Sequence, residues 1–189
     1  MAVNANNVST GKPKLTGAIS CAPITSSLTI PTDATTALPA SFVTLGFVSE
    51  DGLTNDVEME TNEIKAWGGS IVFRTVTGMN DNFTFGLIES KNADVLKAVY
   101  GDSNVTVGND GDISVNVVVE DPQEKCWVID MVLRSDTDGT SKVKRIVIPD
   151  GAITSREGVT YNDSDPITYN VTLTAYPDAN GVCHKEYIA

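Results

Sequence analysis

EIKAWGGSIVFRTVTGMNDNFTFGLIESKNADVLKAVYG, which spans residues 63–101, is the stretch that decides the fold class. Over residues 71–77 the side chains alternate with the period of two that is typical of a β-strand. Residues 80–82, Asn-Asp-Asn, favour a turn because Asn and Asp adopt left-handed backbone readily, and the alternation resumes over residues 83–88. We therefore predict a strand, a corner at Trp67 that packs in the core, and a long hairpin.

A short helix follows this hairpin. Asn92 can cap its first turn, and Gly101 is placed to end it. Its apolar face consists of Val95, Leu96 and Val99. A helix of about two turns is not stable alone in water, so we predict that this face docks on the sheet.

Other alternating segments predict further strands. Turn sequences separate them at residues 108–111 and 136–139, and Pro149 is expected to end a strand. The predicted strands cover residues 14–22, 42–48, 104–107, 113–120, 125–133, 141–148, 167–176 and 182–188. On residues 125–133, the side chains of Trp127, Ile129, Met131 and Leu133 form the predicted core face. The fold class is all-β with one short α-helix.

Three segments outside the strands have their own composition. Residues 1–14 are small and polar and predict a mobile N-terminal arm, and residues 23–41 are rich in Ser, Thr and Pro and predict an extended loop or arm. Residues 49–63 predict an acidic loop without Lys or Arg. Its carboxylates are Glu50, Asp51, Asp56, Glu58, Glu60 and Glu63. The segment fits a solvated loop or edge strand, and also a loop that meets a neighbouring subunit or faces a lumen.

Composition restricts the class of protein. The chain has 189 residues and a formal net charge of −12, which fits one domain over residues 1–189 and excludes a basic cleft for duplex DNA. Cys21, Cys126 and Cys183 are an odd number without a CxxC pair, so we expect neither a disulfide framework nor a zinc site. We also expect no signal peptide and no membrane-spanning segment.

Candidate catalytic and metal-binding groups are weak. Cys183 and His184 are adjacent, and neighbours on a strand point to opposite faces, which argues against a nucleophile–base pair. Residues 109–112 and 136–139 resemble the start of a calcium loop, but neither has the later ligands of such a loop. We therefore predict that the chain is not an enzyme and has no cofactor.

Five segments together resemble a known family. They are residues 31–38 (PTDATTAL), 44–52 (TLGFVSEDG), 63–69 (EIKAWGG), 83–89 (FTFGLIE) and 92–101 (NADVLKAVYG). They are similar to the major tail tube protein of long-tailed bacteriophages with non-contractile tails, the siphovirus type. The resemblance is strongest over residues 15–101; after that, the agreement is one of strand-rich character.

The resemblance implies a β-sandwich or half-barrel with one flanking helix, assembled as a homohexamer. Rings of six stack into a tube, and each subunit lends strands to an inner β-barrel through which DNA passes without specific binding. Loops such as residues 49–63, together with the terminal arms, bridge successive rings. Expected partners are the tape measure, tail tip and tail terminator proteins, and the expected location is the virion tail, assembled in the host bacterial cytoplasm.

An acidic lumen would repel phosphates and let DNA slide. Glu58, Glu60 and Glu63 are the carboxylates that we expect to face it. The alternative function is a carbohydrate- or receptor-binding β-sandwich on a virion or cell surface. In that alternative, Trp67 and Trp127 are the candidate ligand-binding side chains.

Overall fold

The computed structural model describes residues 3, 4, 7–134 and 141–189, and within them β-strands are the main regular structure. The helix α1 spans Ala93–Tyr100. The strands are β1 (Thr10–Pro13), β2 (Ile19–Pro23), β3 (Val43–Thr44), β4 (Val48–Lys65), β5 (Ile71–Leu87), β6 (Val105–Val107), β7 (Ile113–Val115), β8 (Lys125–Arg134), β9 (Ser141–Arg156), β10 (Tyr169–Ala175) and β11 (Lys185–Ile188). The predicted class, all-β with one short helix, is confirmed.

One antiparallel sheet contains most of these strands, in the order β3-β2-β8-β9-β10-β5-β4. β1 pairs with β8 beyond the end of β2, and β11 pairs with the first half of β9. The second half of β9 pairs with β10 instead. Buried side chains from β2, β5, β8, β9, β10 and α1 meet in a single core, so the sheet curls around its own apolar face.

The helix closes this core as the spacing predicts. The Asn92 side chain accepts a hydrogen bond from the backbone N–H of Asp94 at 3.0 Å, and Gly101 N–H donates to the carbonyl of Lys97. The side chains of Val95, Leu96 and Val99 are buried in the core. The helix is therefore held by a local cap and by packing on the sheet.

Replacing Asn92 with alanine is expected to lower the free energy of unfolding by about 1 kcal/mol, because one N-terminal amide of α1 loses its acceptor. Chemical denaturation monitored by circular dichroism measures this change. Asn92→Ser keeps a capping oxygen and is the matched control, with an expected loss of less than half that value. Equal losses for the two variants would show that the cap is not the cause.

The segment predicted as an extended arm, residues 23–41, is docked on the sheet. The Arg145 Nη1 atom donates to the backbone carbonyls of Asp33 and Thr36, at 3.1 and 2.8 Å. Ala34 is buried there. On the face of β8 that carries Asp130, Cys126 and Val128 are also buried. The predicted core face is buried at Trp127 and Ile129 and half-buried at Met131 and Leu133.

Several predicted boundaries are wrong. Part of the N-terminal arm forms β1, which pairs with β8. For the acidic segment 49–63, the loop is wrong and the edge strand is confirmed, because the segment lies within β4 at the edge of the sheet. Pro149 does not end β9, since it lies in a β-bulge where the ladder to β8 skips from Ile148 to Gly151 and needs no donor from it. The predicted turn at residues 136–139 lies outside the described residues.

The predicted turn at residues 80–82 is also wrong, because β5 runs through it without interruption. The chain reverses at Trp67 instead, where Gly68 and Gly69 have φ values of 101° and 90°. Only glycine adopts such angles without strain. Trp67 is consequently 106 % exposed at the tip of the hairpin, and its predicted place in the core is wrong.

Candidate assembly surface

The hairpin of β4 and β5 is the most unusual element of the structure. These strands have 18 and 17 residues, against the 3–10 that are typical. From Asp81 to Leu87, β5 is buried except at Asn82 and Thr84, which are half-buried, and from Ile71 to Asn80 it is mostly exposed. At 3.3 Å per residue, the exposed part extends about 30 Å beyond the body of the protein. We call residues 57–80 the projecting hairpin.

The pairing register defines two faces of this hairpin, because side chains opposite each other in an antiparallel pair share a face. Asp56 pairs with Asn82, Glu58 with Asn80 and Glu60 with Gly78. These residues continue the outer face of the sheet, and we call this the acidic face.

The acidic face continues over the neighbouring strand as a polar surface. Thr84 pairs with Thr172, and Asn82 pairs with Thr174, whose hydroxyl donates to the Asn82 amide oxygen at 2.8 Å. Thr154 on β9 lies 2.8 Å from the Thr174 hydroxyl. In β4, β5 and β10, neither Lys nor Arg occupies a position on this face. The surface therefore offers carboxylates, hydroxyls and amides to solvent without a cation.

The opposite face continues the core face of the sheet into solvent. Val57, Met59, Met79 and Val76 extend the line of buried residues Phe83 and Phe85 outward along the hairpin. Nearer the tip, Glu63 forms an ion pair with Arg74 at 2.6 Å. Glu63 thus lies on a different face from Glu58 and Glu60. The other two predicted carboxylates, Glu50 and Asp51, lie at the root of β4. There the pairing of β4 with β5 is interrupted between Val48 and Leu53.

Large apolar side chains are exposed along the whole projecting hairpin. They are Val57, Met59, Ile64, Ile71, Val72, Phe73, Val76 and Met79. Val57, Met59, Val76 and Met79 share one face, and Ile64 and Phe73 lie nearer the tip on the face of Glu58 and Glu60. Exposed apolar surface of this extent marks a protein interaction site on a soluble protein. An isolated two-stranded ribbon is also marginally stable in water. Both arguments indicate that this hairpin packs against another molecule.

A buried polar network fixes the root of the hairpin. Asp81 on β5 is 1 % exposed, and its carboxylate accepts a hydrogen bond from the Asn55 side chain of β4 at 2.7 Å. The same carboxylate pairs with His184 Nδ1. The His184 ring packs edge-on against Phe83, with ring centroids 5.3 Å apart. The single histidine therefore ties the C-terminal segment to the hairpin, an arrangement that no local sequence pattern signals across 103 positions.

The cysteines are unsuited to nucleophilic chemistry. All three are buried and free. Burial raises the pKa of Cys21 to about 11 and that of Cys126 to about 12, and it also raises the pKa of Cys183. Since the thiolate is the reactive form, these groups are structural. Among the described residues, no three His, Cys, Asp or Glu side chains are grouped to hold a metal ion.

In the described part of the chain, two of the sheet's open edges border the strands β10 and β5. β4 pairs only with β5, so its outer edge is open along its length. At the other side, residues 152–156 of β9 pair with β10 alone. Unpaired edges are templates for pairing with another chain. Residues 152–156 of β9 thus form, with β10, β5 and β4, a four-stranded ribbon that is open at both sides.

Comparison with known proteins assigns the chain to a family. The family model described as phage tail tube protein matches residues 1–188. No curated protein matches the chain. No helix among the described residues is long and apolar enough to cross a membrane. A structural tail family gives no support to the glycan-binding alternative, and Trp127 is buried in the core. With nearly its whole length matched, the chain belongs to the phage tail tube protein family, a structural component of the virion tail.

Proposed function

We propose that the chain is the major tube subunit of a long, non-contractile tail, and that six copies close into a ring. The four-stranded ribbon of β10, β5, β4 and residues 152–156 of β9 carries this proposal, because it has two open edges and its acidic face has no Lys or Arg in β4, β5 and β10. In the ring, the outer edge of β4 pairs with residues 152–156 of the neighbouring copy. Closure of this kind removes both open edges and uses one heterologous interface.

The size of such a barrel fits a conduit for DNA. Six ribbons supply about 24 strands, which at 4.8 Å spacing and a tilt of about 40° enclose a backbone diameter of roughly 48 Å. Barrels with fewer strands, about 22, already hold a plug domain. Stacked rings would form the channel for genome ejection, assembled in the bacterial cytoplasm with tape measure, tail tip and tail terminator proteins.

The acidic face lines this channel in our proposal, with Asp56, Glu58 and Glu60 directed toward the DNA. Carboxylates repel phosphates, and without Lys or Arg the wall has no group that would release counterions and bind. Threonine and asparagine side chains complete a surface that stays hydrated. Glu63, paired with Arg74 on the other face, is not part of this lining. Electron microscopy of purified protein would test the tube, and particles without hollow rings would contradict it.

A double substitution, Glu58→Lys with Glu60→Lys, is expected to turn the channel into a DNA-binding surface. The charge of each subunit changes by +4, and non-specific affinity for DNA in the micromolar range is expected where wild-type tubes show none. The measurement is the amount of linear duplex DNA that assembled tubes protect from nuclease, at several salt concentrations. Protection should fall steeply as salt is raised.

The matched control is Asp110→Lys with Asp112→Lys, which makes the same charge change in the exposed turn between β6 and β7. DNA held on an outer surface remains open to nuclease, so this variant should give no protected DNA. Equal protection by the two variants, or none by either, would show that Glu58 and Glu60 do not line the channel.

A further inference from the structure

The tip of the projecting hairpin carries a side chain that the monomer leaves entirely in water. Trp67 is 106 % exposed, and the glycines at positions 68 and 69 hold the turn on which it stands. Tryptophan buries a large apolar area when it finds a partner and is enriched among the residues that dominate interfaces. A fully exposed indole at the end of the projecting hairpin is therefore suited to anchor another molecule.

An apolar cleft lies at the other end of the same hairpin. It has a volume of about 510 Å³ and is bounded by β1, β2, β8 and the root of β4. Its apolar lining includes Pro13, Leu53, Ile129 and Met131. The charged residues that line it include Lys12 and Glu50. Met131 supplies a thioether, which makes favourable contacts with aromatic rings. The apolar side chains of the cleft can thus pack against an indole ring, and its charged side chains form a polar rim around that ring.

Trp67 and this cleft cannot meet within one chain. About 14 residues of extended strand separate Leu53 from Trp67, which is roughly 45 Å. A second copy brings the two together without change in either, because each copy has one tip and one cleft. The resulting contact is head to tail and leaves a further tip and cleft free, so that it can be repeated along a tube.

We propose that Trp67 of one copy inserts into the cleft between β1, β8 and the root of β4 in an adjacent copy. This inference rests on the proposed tube function and adds the anchor and its receptor. Copies joined in this way are displaced by at most roughly 45 Å along the hairpin.

Fluorescence tests whether the indole becomes buried. Trp127 is 1 % exposed and contributes a constant emission at short wavelength. The variant Trp67→Phe retains only Trp127 and therefore gives this contribution by itself. In the unassembled protein, iodide should quench Trp67 freely. In assembled tubes, its emission should shift to the blue and its quenching should fall at least fivefold. Unchanged quenching after assembly would overturn the proposal.

Cross-linking tests whether the cleft is the receptor. Ser70→Cys places a thiol beside Trp67, and Lys12→Cys places one at the cleft, while the three native cysteines are buried. Under mild oxidation, a mixture of the two variants should form a covalent dimer that neither variant forms alone. Lys91→Cys, on an exposed position near α1, is the control partner and should give none. A buried indole without the Ser70–Lys12 cross-link would place the tip elsewhere and overturn the proposal.

Substitution tests whether the contact matters for assembly. Trp67→Ala should weaken tube formation by at least about 30-fold in critical concentration, the usual effect of truncating an interface anchor, with no change in the melting of the monomer. Trp67→Ala protein that assembles like wild type would overturn the anchor and leave the tube function standing. Wild-type protein that never forms tubes would overturn both.

Discussion

Replacing Asp130 with alanine is expected to lower the free energy of unfolding by about 3–5 kcal/mol, because it leaves the buried guanidinium of Arg145 without its counter-charge. The Arg145 side chain is 1 % exposed. Its Nε and Nη2 atoms donate to the two Asp130 oxygens at 2.6 and 2.9 Å. These hydrogen bonds raise the pKa of Arg145, so the side chain stays charged inside the protein.

The surface ion pair of the preceding residue provides the control. Lys144 lies next to Arg145 on β9 and pairs with Glu186 at 2.7 Å, with the Glu186 side chain 41 % exposed. Replacing Glu186 with alanine should cost less than about 1 kcal/mol, since exposed pairs contribute little. Urea denaturation of both variants gives the comparison. A loss below 1 kcal/mol for Asp130→Ala would show that the interior at this point admits water.

The same substitution should loosen a distant segment of the chain. Arg145 also donates to the backbone carbonyls of Asp33 and Thr36, which holds residues 23–41 over the outer face of β8. Without Asp130, the guanidinium is expected to turn toward solvent and release these carbonyls. Limited proteolysis should then cut within residues 23–41 faster than in Glu186→Ala.

Local patterns predicted the elements that depend on local physics. The helix follows from its cap at Asn92 and from the spacing of its apolar residues, because both act within two turns of the chain. Alternation likewise located β8 and β10. The turn predicted at residues 80–82 failed because Asp81 is satisfied by His184, a partner far along the chain. Turn propensity is a weak preference that such a long-range contact overrides.

The prediction that Trp67 packs in the core was wrong for a different reason. An apolar side chain predicts burial, but the sequence does not say whether the burial occurs within one chain or between chains. The same ambiguity affects Val57, Met59 and Val76, which alternate like core residues and stand in solvent on the projecting hairpin. The pattern of the acidic segment was compatible with a loop and with an edge strand, because exposed carboxylate side chains occur in both. Its division into two faces, with Glu63 apart from Glu58 and Glu60, required the register.

Shortening the projecting hairpin is expected to abolish tube assembly while the body still folds. Glu60 pairs with Gly78, so residues 61–77 can be replaced by Asn-Gly, a two-residue turn that closes antiparallel strands. None of the removed residues belongs to the core. The variant should keep a single cooperative unfolding transition, and sedimentation velocity should show only monomer at concentrations where the wild type forms tubes.

The expected loss is complete because the deletion removes three interactions together: most of the exposed apolar surface, the last five residues of the open β4 edge and the Trp67 tip. A matched control shortens the other exposed hairpin, where Val107 pairs with Ile113, by replacing residues 108–112 with Asn-Gly. That variant should assemble like the wild type. Tubes formed by the 61–77 variant would show that the long hairpin is not the assembly surface. If the 61–77 variant were unfolded, the body would depend on contacts that the projecting hairpin makes outside the core around Phe83. We do not expect this result, because the Asp81–His184 pair holds the root of the hairpin and is kept in the variant.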